Sequence, residues 1–149
     1  FAKSQIASNN SIPLKGTAYA DRELDNMYQA YSIPRSIYFV VQFNDQILGG
    51  AGIMPLNKGA KNICELQKMY LDPKARGKGV GRKLVDKLID NASKWYDNES
   101  EKIRKLYLLT HEDNNNAHSF YEKVGFSHET TLKDHYYKDQ DERVYVMFF

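Results

Sequence analysis

A glycine-rich turn lies near the middle of this 149-residue chain, between a strand predicted over residues 64–71 and a helix predicted over 81–96. The turn reads Arg-Gly-Lys-Gly-Val-Gly over residues 76–81. Glycine lets the backbone approach a ligand closely, and the first N–H groups of a helix have no partner within the helix. This stretch therefore predicts a binding site for an anion such as a phosphate group.

The turn differs from two common phosphate-binding loops. A dinucleotide fingerprint needs a third glycine where Arg82 stands, and a P-loop needs serine or threonine where Gly79 stands. The turn does match the pattern Arg/Gln-x-x-Gly-x-Gly. It thereby resembles the motif that grips the pyrophosphate of coenzyme A in the GNAT superfamily of acetyl-CoA-dependent N-acetyltransferases. On six residues alone, an ordinary basic turn remains an alternative.

A second motif lies at residues 114–126, with the sequence Asn-Asn-Asn-Ala-His-Ser-Phe-Tyr-Glu-Lys-Val-Gly-Phe. Its apolar residues recur at helical spacing, and Gly125 stands where the end of a helix favours glycine. A short core helix is the simplest interpretation. The string also resembles the Asn-x-x-Ala-x-x-x-Tyr-Glu-Lys-x-Gly-Phe signature of GNAT enzymes. With two motifs in the family's order, the resemblance runs from about residue 37 to the end of the chain.

The resemblance implies an α/β (α+β) fold with a central mixed, twisted β-sheet flanked by helices. The residue patterns agree with it. They predict a hairpin over 37–43 and 47–54, a third strand over 62–71, and a fourth strand over 103–110 that is parallel to the third because a helix connects them. We expect one domain over residues 1–149. Its N-terminus is expected to be incomplete, because the family's first strand would precede Phe1.

Other segments carry weaker patterns. A helix capped by Asp21 is expected to end near Pro34. Glycines at 49, 50 and 52 lie inside the second predicted strand, which is typical of close approach by a backbone or a ligand. The tail over 130–149 predicts a hairpin with its tip at 138–142. Its aromatic side chains are interpreted first as core, with a dimer edge or an acceptor wall as alternatives.

The resemblance implies a set of cofactor contacts. Backbone N–H groups of the turn and the helix start would bind the pyrophosphate, and basic side chains would add charge, with Lys78 acting mainly on the outlying 3′-phosphate. The end of the third strand would contact the pantetheine arm, and an asparagine would bind that arm from the other side. The residues so implied are Met69, Tyr70, Leu71, Arg76, Gly77, Lys78, Gly79, Gly81, Arg82 and Asn114.

The implied chemistry is the attack of a neutral amine on a thioester, which needs a base and an acid. Tyr121 is the expected acid, because a phenol pKa of about 10 is close to that of a thiol; a structural core tyrosine is the alternative. Glu65 is the expected base, 11 residues before Arg76 as in histone-acetyltransferase members of the family. A structural ion pair with Lys68 or Arg104, or a proton relay through water, remains an alternative for Glu65.

Composition limits the other functions. The net charge is only +2, and the basic residues near the turn lack interleaved aromatic residues, so we expect no nucleic-acid partner. Cys64 is the only cysteine, which favours a reducing, cytoplasmic location. No run is long and apolar enough for a membrane span. The four histidines have no metal-ligand spacing, so we expect no metal, and we interpret His111 as a loop residue.

The sequence therefore predicts an N-acetyltransferase that moves the acetyl group of acetyl-CoA to a primary amine. The acceptor is expected to be a small molecule or a peptide, and a homodimer is consistent with the family. A non-catalytic coenzyme A binding or sensing domain on the same fold is the alternative. It could dispense with Glu65 and Tyr121, and the presence of both favours the enzyme.

Overall fold

A computed structural model describes residues 21–56, 62–95 and 102–149, and within these ranges the chain forms a six-stranded mixed sheet. The strand order is β1-β2-β3-β4-β6-β5. Only β3 and β4 are parallel. This confirms the expected fold class. The strands are β1 (Ile37–Phe43), β2 (Gln46–Pro55), β3 (Ile63–Leu71), β4 (Lys105–His111), β5 (Ser127–Leu132) and β6 (Glu142–Phe148).

The described helices are α1 (Met27–Ala30), α2 (Val80–Ala92) and α3 (Asn115–Lys123). α2 connects β3 to β4 and buries an apolar stripe against one face of the sheet, as its helical spacing predicts. A 3₁₀ turn at Ser93–Trp95 ends it, so α2 is shorter than expected. The buried stripe and the facing sheet residues include Leu84, Val85, Leu88, Ala92, Ala51, Ile53, Cys64, Leu66, Leu106 and Leu108.

The β1–β2 hairpin closes through a two-residue turn, as predicted. Asn44 and Asp45 both have positive φ, at 44° and 62°. This turn geometry matches the right-handed twist of the strands, and asparagine and aspartate tolerate it better than most residues.

β3 and β4 separate after a short parallel ladder. Their pairing runs from Ile63↔Lys105 to Glu65↔Tyr107. Beyond this point β3 continues to Leu71 along β2, while β4 continues to His111 along β6. The two strands therefore diverge towards their carboxyl ends, and the gap between them opens next to the glycine turn.

The expected helix from Asp21 to Pro34 is wrong. Asp21 caps only a 3₁₀ turn, and Asn26 then leaves helical geometry to cap α1 by accepting a hydrogen bond from the Gln29 N–H at 3.1 Å. A mid-segment asparagine can satisfy backbone groups locally, which breaks a helix that periodicity alone would continue.

The C-terminal hairpin is present, but its bounds differ from the prediction. β5 begins at Ser127 rather than at 130, and Glu142, expected in the tip, begins β6 and is almost fully buried. The core interpretation holds for Tyr145, which is fully buried. It is wrong for Phe148 and Phe149, which are more than half exposed.

The expected first strand of the family and the end of the long helix at residue 96 lie outside the described residues. No helix within 21–56, 62–95 and 102–149 combines the length and the apolar character needed to cross a bilayer.

Candidate active site

The glycine turn presents an open backbone at the N-terminus of α2. Gly77 and Gly79 have φ of 70° and 75°, a region that strongly favours glycine, and a Cβ on either would meet no atom within 4 Å. Gly79 is the N-cap and carries no side-chain cap. The N–H groups of Val80, Gly81 and Arg82 lie in the first turn of α2, which has no side-chain cap. Val80 is a donor that the motif comparison did not name.

Gly81 has a different role from its two neighbours. It is buried, and a Cβ there would lie 2.8 Å from the Phe120 ring of α3. The Arg82 guanidinium donates a hydrogen bond to the Lys123 carbonyl oxygen at the end of α3. Gly81 and Arg82 therefore fix α2 against α3, in addition to offering backbone donors.

Two side chains stabilise the approach to the turn. Asp72 accepts a hydrogen bond from the Lys74 N–H at 2.8 Å, and Arg76 Nε donates to the Leu71 carbonyl at 2.9 Å. Lys74, Arg76 and Lys78 are exposed around the turn. The positive charge and the uncapped helix start both favour an anion.

A β-bulge precedes the end of β3. The β2–β3 register shifts between Gly50 and Gly52, and Lys68 opposite has a φ of 52°. Lys68 is held there by Asp21 at 2.5 Å and by Glu23 at 2.8 Å. Residues 69–71 follow the bulge on the edge that faces the gap between β3 and β4, as expected for a backbone that contacts an extended ligand.

Asn114 lies across the gap, at the start of α3. Its side-chain oxygen caps that helix by accepting from the Ala117 N–H at 3.2 Å. This bond orients the side chain. The amide NH₂ is then the group with which Asn114 can contact a ligand.

Tyr121 is buried in an aromatic cluster on the α2 side of the sheet. Its ring centroid lies 5.3 Å from that of Phe120, 5.8 Å from that of Phe126 and 6.1 Å from that of Tyr145. Burial, with a smaller contribution from nearby Tyr70, raises the pKa of the Tyr121 phenol above its usual range. The phenol therefore keeps its proton at neutral pH.

Glu65 lies on the opposite face of the sheet. Its Oε2 accepts hydrogen bonds from Gln67 Nε2 at 2.7 Å and from the Tyr107 hydroxyl at 3.0 Å. The ion pair with Lys68 considered from the sequence does not form, because Lys68 binds Asp21 and Glu23. The structure thus places Glu65 and Tyr121 on opposite faces of the sheet, with Glu65 in the last residue pair before β3 and β4 separate.

Sequence reasoning missed Tyr107 and Gln67 as partners of Glu65. Gln67 shares a face with Glu65 because side chains in a strand alternate, which the sequence could have shown. Tyr107 is 42 residues away and reaches Glu65 only through the parallel ladder. No local pattern points to that contact.

His111 was expected to lie in a loop, but it is the last residue of β4. It lies opposite Glu142 of β6, and its Nδ1 pairs with the carboxylate of Glu142, whose side chain is 3% exposed. The hydrogen bond to Glu142 raises the pKa of His111. No group of three His, Cys, Asp or Glu side chains in the described ranges is arranged to bind a metal ion.

Comparisons with known proteins agree with this geometry. The model of the acetyltransferase (GNAT) family matches residues 8–126. This match begins well before residue 37, from which the resemblance was expected to run. The Escherichia coli K12 protein called uncharacterized N-acetyltransferase YjgM is 40% identical over 114 residues, or 76% of this chain. That alignment covers 65% of the E. coli protein, so this chain spans slightly less than two thirds of the length of that relative.

Two solved structures share the fold. A ribosomal-protein-alanine N-acetyltransferase from Brucella melitensis matches with a TM-score of 0.69 and 22% identity, over 99% of this chain and 91% of its own. An aminoglycoside 6′-N-acetyltransferase complexed with coenzyme A matches with a TM-score of 0.69 and 16% identity, over 86% of this chain and 81% of its own. With the family match over most of the sequence, these findings show that the chain belongs to the GNAT family of acetyltransferases.

Proposed function

We propose that this protein transfers the acetyl group of acetyl-CoA to a primary amine of an acceptor. The observation that carries the proposal is the position of the open glycine turn, directly beside the gap where β3 and β4 diverge. A pyrophosphate fits the first feature, and an extended arm with amide groups fits the second. Family membership and the fold-related aminoglycoside 6′-N-acetyltransferase complexed with coenzyme A support it.

The residues present suit acetyl-CoA. Gly77 and Gly79 leave space above the backbone, and the first turn of α2 offers N–H donors to the pyrophosphate. Arg76 and Lys78 add positive charge. Backbone groups of residues 69–71 and the Asn114 amide would bind the arm from the two sides of the gap.

In the proposed chemistry the base and the acid lie on opposite faces of the sheet. Acetyl-CoA supplies an activated thioester carbonyl. Glu65 accepts, directly or through water, the proton that the acceptor ammonium must lose before it can attack. Tyr121 retains its proton at neutral pH and donates it to the leaving thiolate sulfur.

The alternative is a domain that binds coenzyme A without catalysis. Such a domain needs the glycine turn and the gap, but no base on the face of the sheet that carries Glu65, which we call the acceptor face. Glu65 is half-buried there and accepts hydrogen bonds from Gln67 Nε2 and the Tyr107 hydroxyl. A carboxylate positioned in this way favours the enzyme. The two functions share cofactor binding and differ in turnover.

The experiment measures cofactor binding and turnover separately. Calorimetric titration with acetyl-CoA tests binding, and we expect a saturable signal. Thiol release from acetyl-CoA is then followed with polyamines, aminoglycosides, amino acids and peptides with an N-terminal alanine. Turnover with one class supports the enzyme. Absence of acetyl-CoA binding would refute both functions, and binding without turnover across the panel would favour the sensing domain.

A further inference from the structure

Two buried polar atoms lie on the acceptor face near Glu65 without a hydrogen-bond partner in the described part of the chain. They are the Tyr31 hydroxyl and the Gln67 side-chain oxygen. Burying a hydroxyl or an amide oxygen without a hydrogen bond is unfavourable, and native proteins do so rarely. A ligand that donates to these atoms would remove the cost.

Tyr31 reaches this place because β2 carries a glycine beneath it. A Cβ on Gly52 would lie 2.4 Å from both the ring and the hydroxyl of Tyr31, so the end of the Tyr31 side chain fills that space. Gly52 is the ladder partner of Gln67 in β3. Partners in an antiparallel ladder face the same side of the sheet. The Tyr31 hydroxyl therefore lies beside the Gln67 side chain.

Gln67 in turn is joined to the proposed base. Its Nε2 donates to Glu65 Oε2, which also receives the Tyr107 hydroxyl. Both bonds use the same carboxylate oxygen, and neither uses Oε1 of Glu65. The cluster thus presents three acceptors: Glu65 Oε1, the Gln67 oxygen and the Tyr31 hydroxyl oxygen.

Lys68, which follows Gln67 in β3, does not neutralise this cluster. Lys68 turns to Asp21 and Glu23, at 2.5 Å and 2.8 Å. The carboxylate of Glu65 is therefore compensated by neutral donors only in the described contacts. Burial, with smaller contributions from neighbours that include Glu65, also raises the pKa of Tyr31, so its phenol stays uncharged.

An alkylammonium group matches this arrangement. It carries three N–H donors and one positive charge, which correspond to three acceptors and one carboxylate. The Tyr31 and Tyr107 rings beside the carboxylate also favour a cation over an anion. A neutral alcohol of the same shape supplies one donor and no charge.

We propose that Tyr31 and Gln67, together with Glu65, bind the ammonium group of the acceptor. This inference rests on the proposed acetyl transfer and adds to it how the acceptor ammonium group is held. It also assigns Tyr31 and Gln67 as binding residues. Glu65 then receives its proton from the same ammonium group that the cluster holds.

The test uses n-butylamine as the probe and n-butanol as its neutral counterpart. Each is titrated into the whole protein, with and without coenzyme A, while NMR follows the Gln67 side-chain amide and the Tyr31 ring. We expect saturable shifts with n-butylamine and none with n-butanol. Tyr31→Phe and Gln67→Met should each weaken n-butylamine binding about tenfold, the loss expected for one hydrogen bond to a charged group.

Tyr38→Phe is the matched control. Tyr38 lies beside Tyr31, with 5.2 Å between ring centroids, but its hydroxyl donates to the Lys68 carbonyl at 3.0 Å instead of facing the cluster. This variant should bind n-butylamine like the wild type. Thermal unfolding of all three variants shows whether each is folded, and coenzyme A affinity should be unchanged in all of them.

Two results would overturn the proposal. One is the absence of saturable n-butylamine shifts in the wild type. The other is wild-type affinity in both Tyr31→Phe and Gln67→Met, which would leave ordered water as the partner of these atoms. Acetyl transfer with an acceptor KM insensitive to both substitutions would refute this inference alone. A variant-sensitive ammonium site without any thiol release would refute the proposed function alone.

Discussion

Glu65 and Tyr121 differ in what surrounds them, and this difference fits two opposite tasks. Glu65 is half-buried and accepts hydrogen bonds from Gln67 and Tyr107 through Oε2, so neither bond occupies its other carboxylate oxygen. Tyr121 lies among aromatic rings that disfavour its charged form. One group is suited to receive a proton and the other to keep one until a thiolate forms.

Tyr121→Phe should retain acetyl-CoA affinity and lose most of kcat, by a factor of about 10² to 10⁴ if Tyr121 is the acid. The substitution removes only the hydroxyl, so the packing against Phe126 and Tyr145 is preserved. Steady-state kinetics and acetyl-CoA calorimetry measure the two effects. An unchanged kcat would exclude Tyr121 from the chemistry.

Glu65→Gln should lower kcat/KM and remove the alkaline rise of the pH–rate profile, because an amide cannot accept the ammonium proton. The hydrogen bond from Tyr107 can persist, since a glutamine oxygen accepts as well. The pH–rate profile of kcat/KM is the measurement. If the alkaline rise survives the substitution, water or another group serves as the base.

The residue level is also where the sequence was least informative. Glu65 and Tyr121 were predicted from motif position, whereas Gln67 was missed although strand alternation places it on the same face as Glu65. Tyr31 and Tyr107 could not be assigned, because their positions depend on Gly52 and on a parallel ladder between segments far apart in the chain. His111 was misread since its partner Glu142 belongs to the last described strand.

At the level of elements, the glycines of this chain serve different purposes. Gly79 has a left-handed backbone and open space above it, whereas Gly49 lies where the backbone of β3 comes close. Periodicity and turn residues predicted the strands and α2 that carry these glycines. The break at Asn26 was not predictable from periodicity, because it depends on one side chain capping α1.

Gly79→Ala should weaken acetyl-CoA binding several-fold and cost about 1 kcal/mol of folding free energy. The new methyl group projects above the uncapped start of α2, and an L-residue disfavours a φ of 75°. Calorimetry and denaturant unfolding separate the two effects. Wild-type affinity in a folded Gly79→Ala protein would argue against a phosphate site at this turn.

Gly49→Ala should reduce stability by about 2 kcal/mol or more, through backbone strain and a clash. A Cβ there would lie 2.0 Å from the Tyr70 carbonyl oxygen, at a φ of 146°. This outcome would confirm that the glycine run of β2 serves the close approach of β3. A denaturation midpoint equal to that of the wild type would contradict it.

At the level of the whole molecule, β6 holds the C-terminal part of the sheet together. It pairs with β4 on one side and with β5 on the other. The His111–Glu142 pair lies at one end of the β4–β6 ladder, and the bidentate Arg143–Glu112 pair lies next to it, with N–O distances of 2.7 and 2.5 Å. A homodimer stays a prediction.

The His111–Glu142 pair should make stability depend on pH. The pair raises the folded-state pKa of His111 above its unfolded value of about 6.5. Its contribution is therefore fully present below pH about 6.5 and is lost as the pH rises through the folded-state pKa. We expect an NMR titration to show the raised pKa, and Glu142→Gln to lower it and flatten this part of the pH dependence of unfolding. A His111 pKa that does not change in Glu142→Gln would contradict the prediction.

The insertion of β6 between β4 and β5 has a consequence for synthesis on the ribosome. Residues 142–148 follow all other described strands in the chain, yet they form the middle of this part of the sheet. While they remain in the exit tunnel, β5 lacks its ladder partner and β4 pairs only briefly with β3. The nascent chain can build the β1–β2–β3 layer and α2 early, but Tyr121 gains the neighbouring Tyr145 ring only after β6 leaves the tunnel. A ribosome-bound fragment therefore has the glycine turn before it has a complete active site.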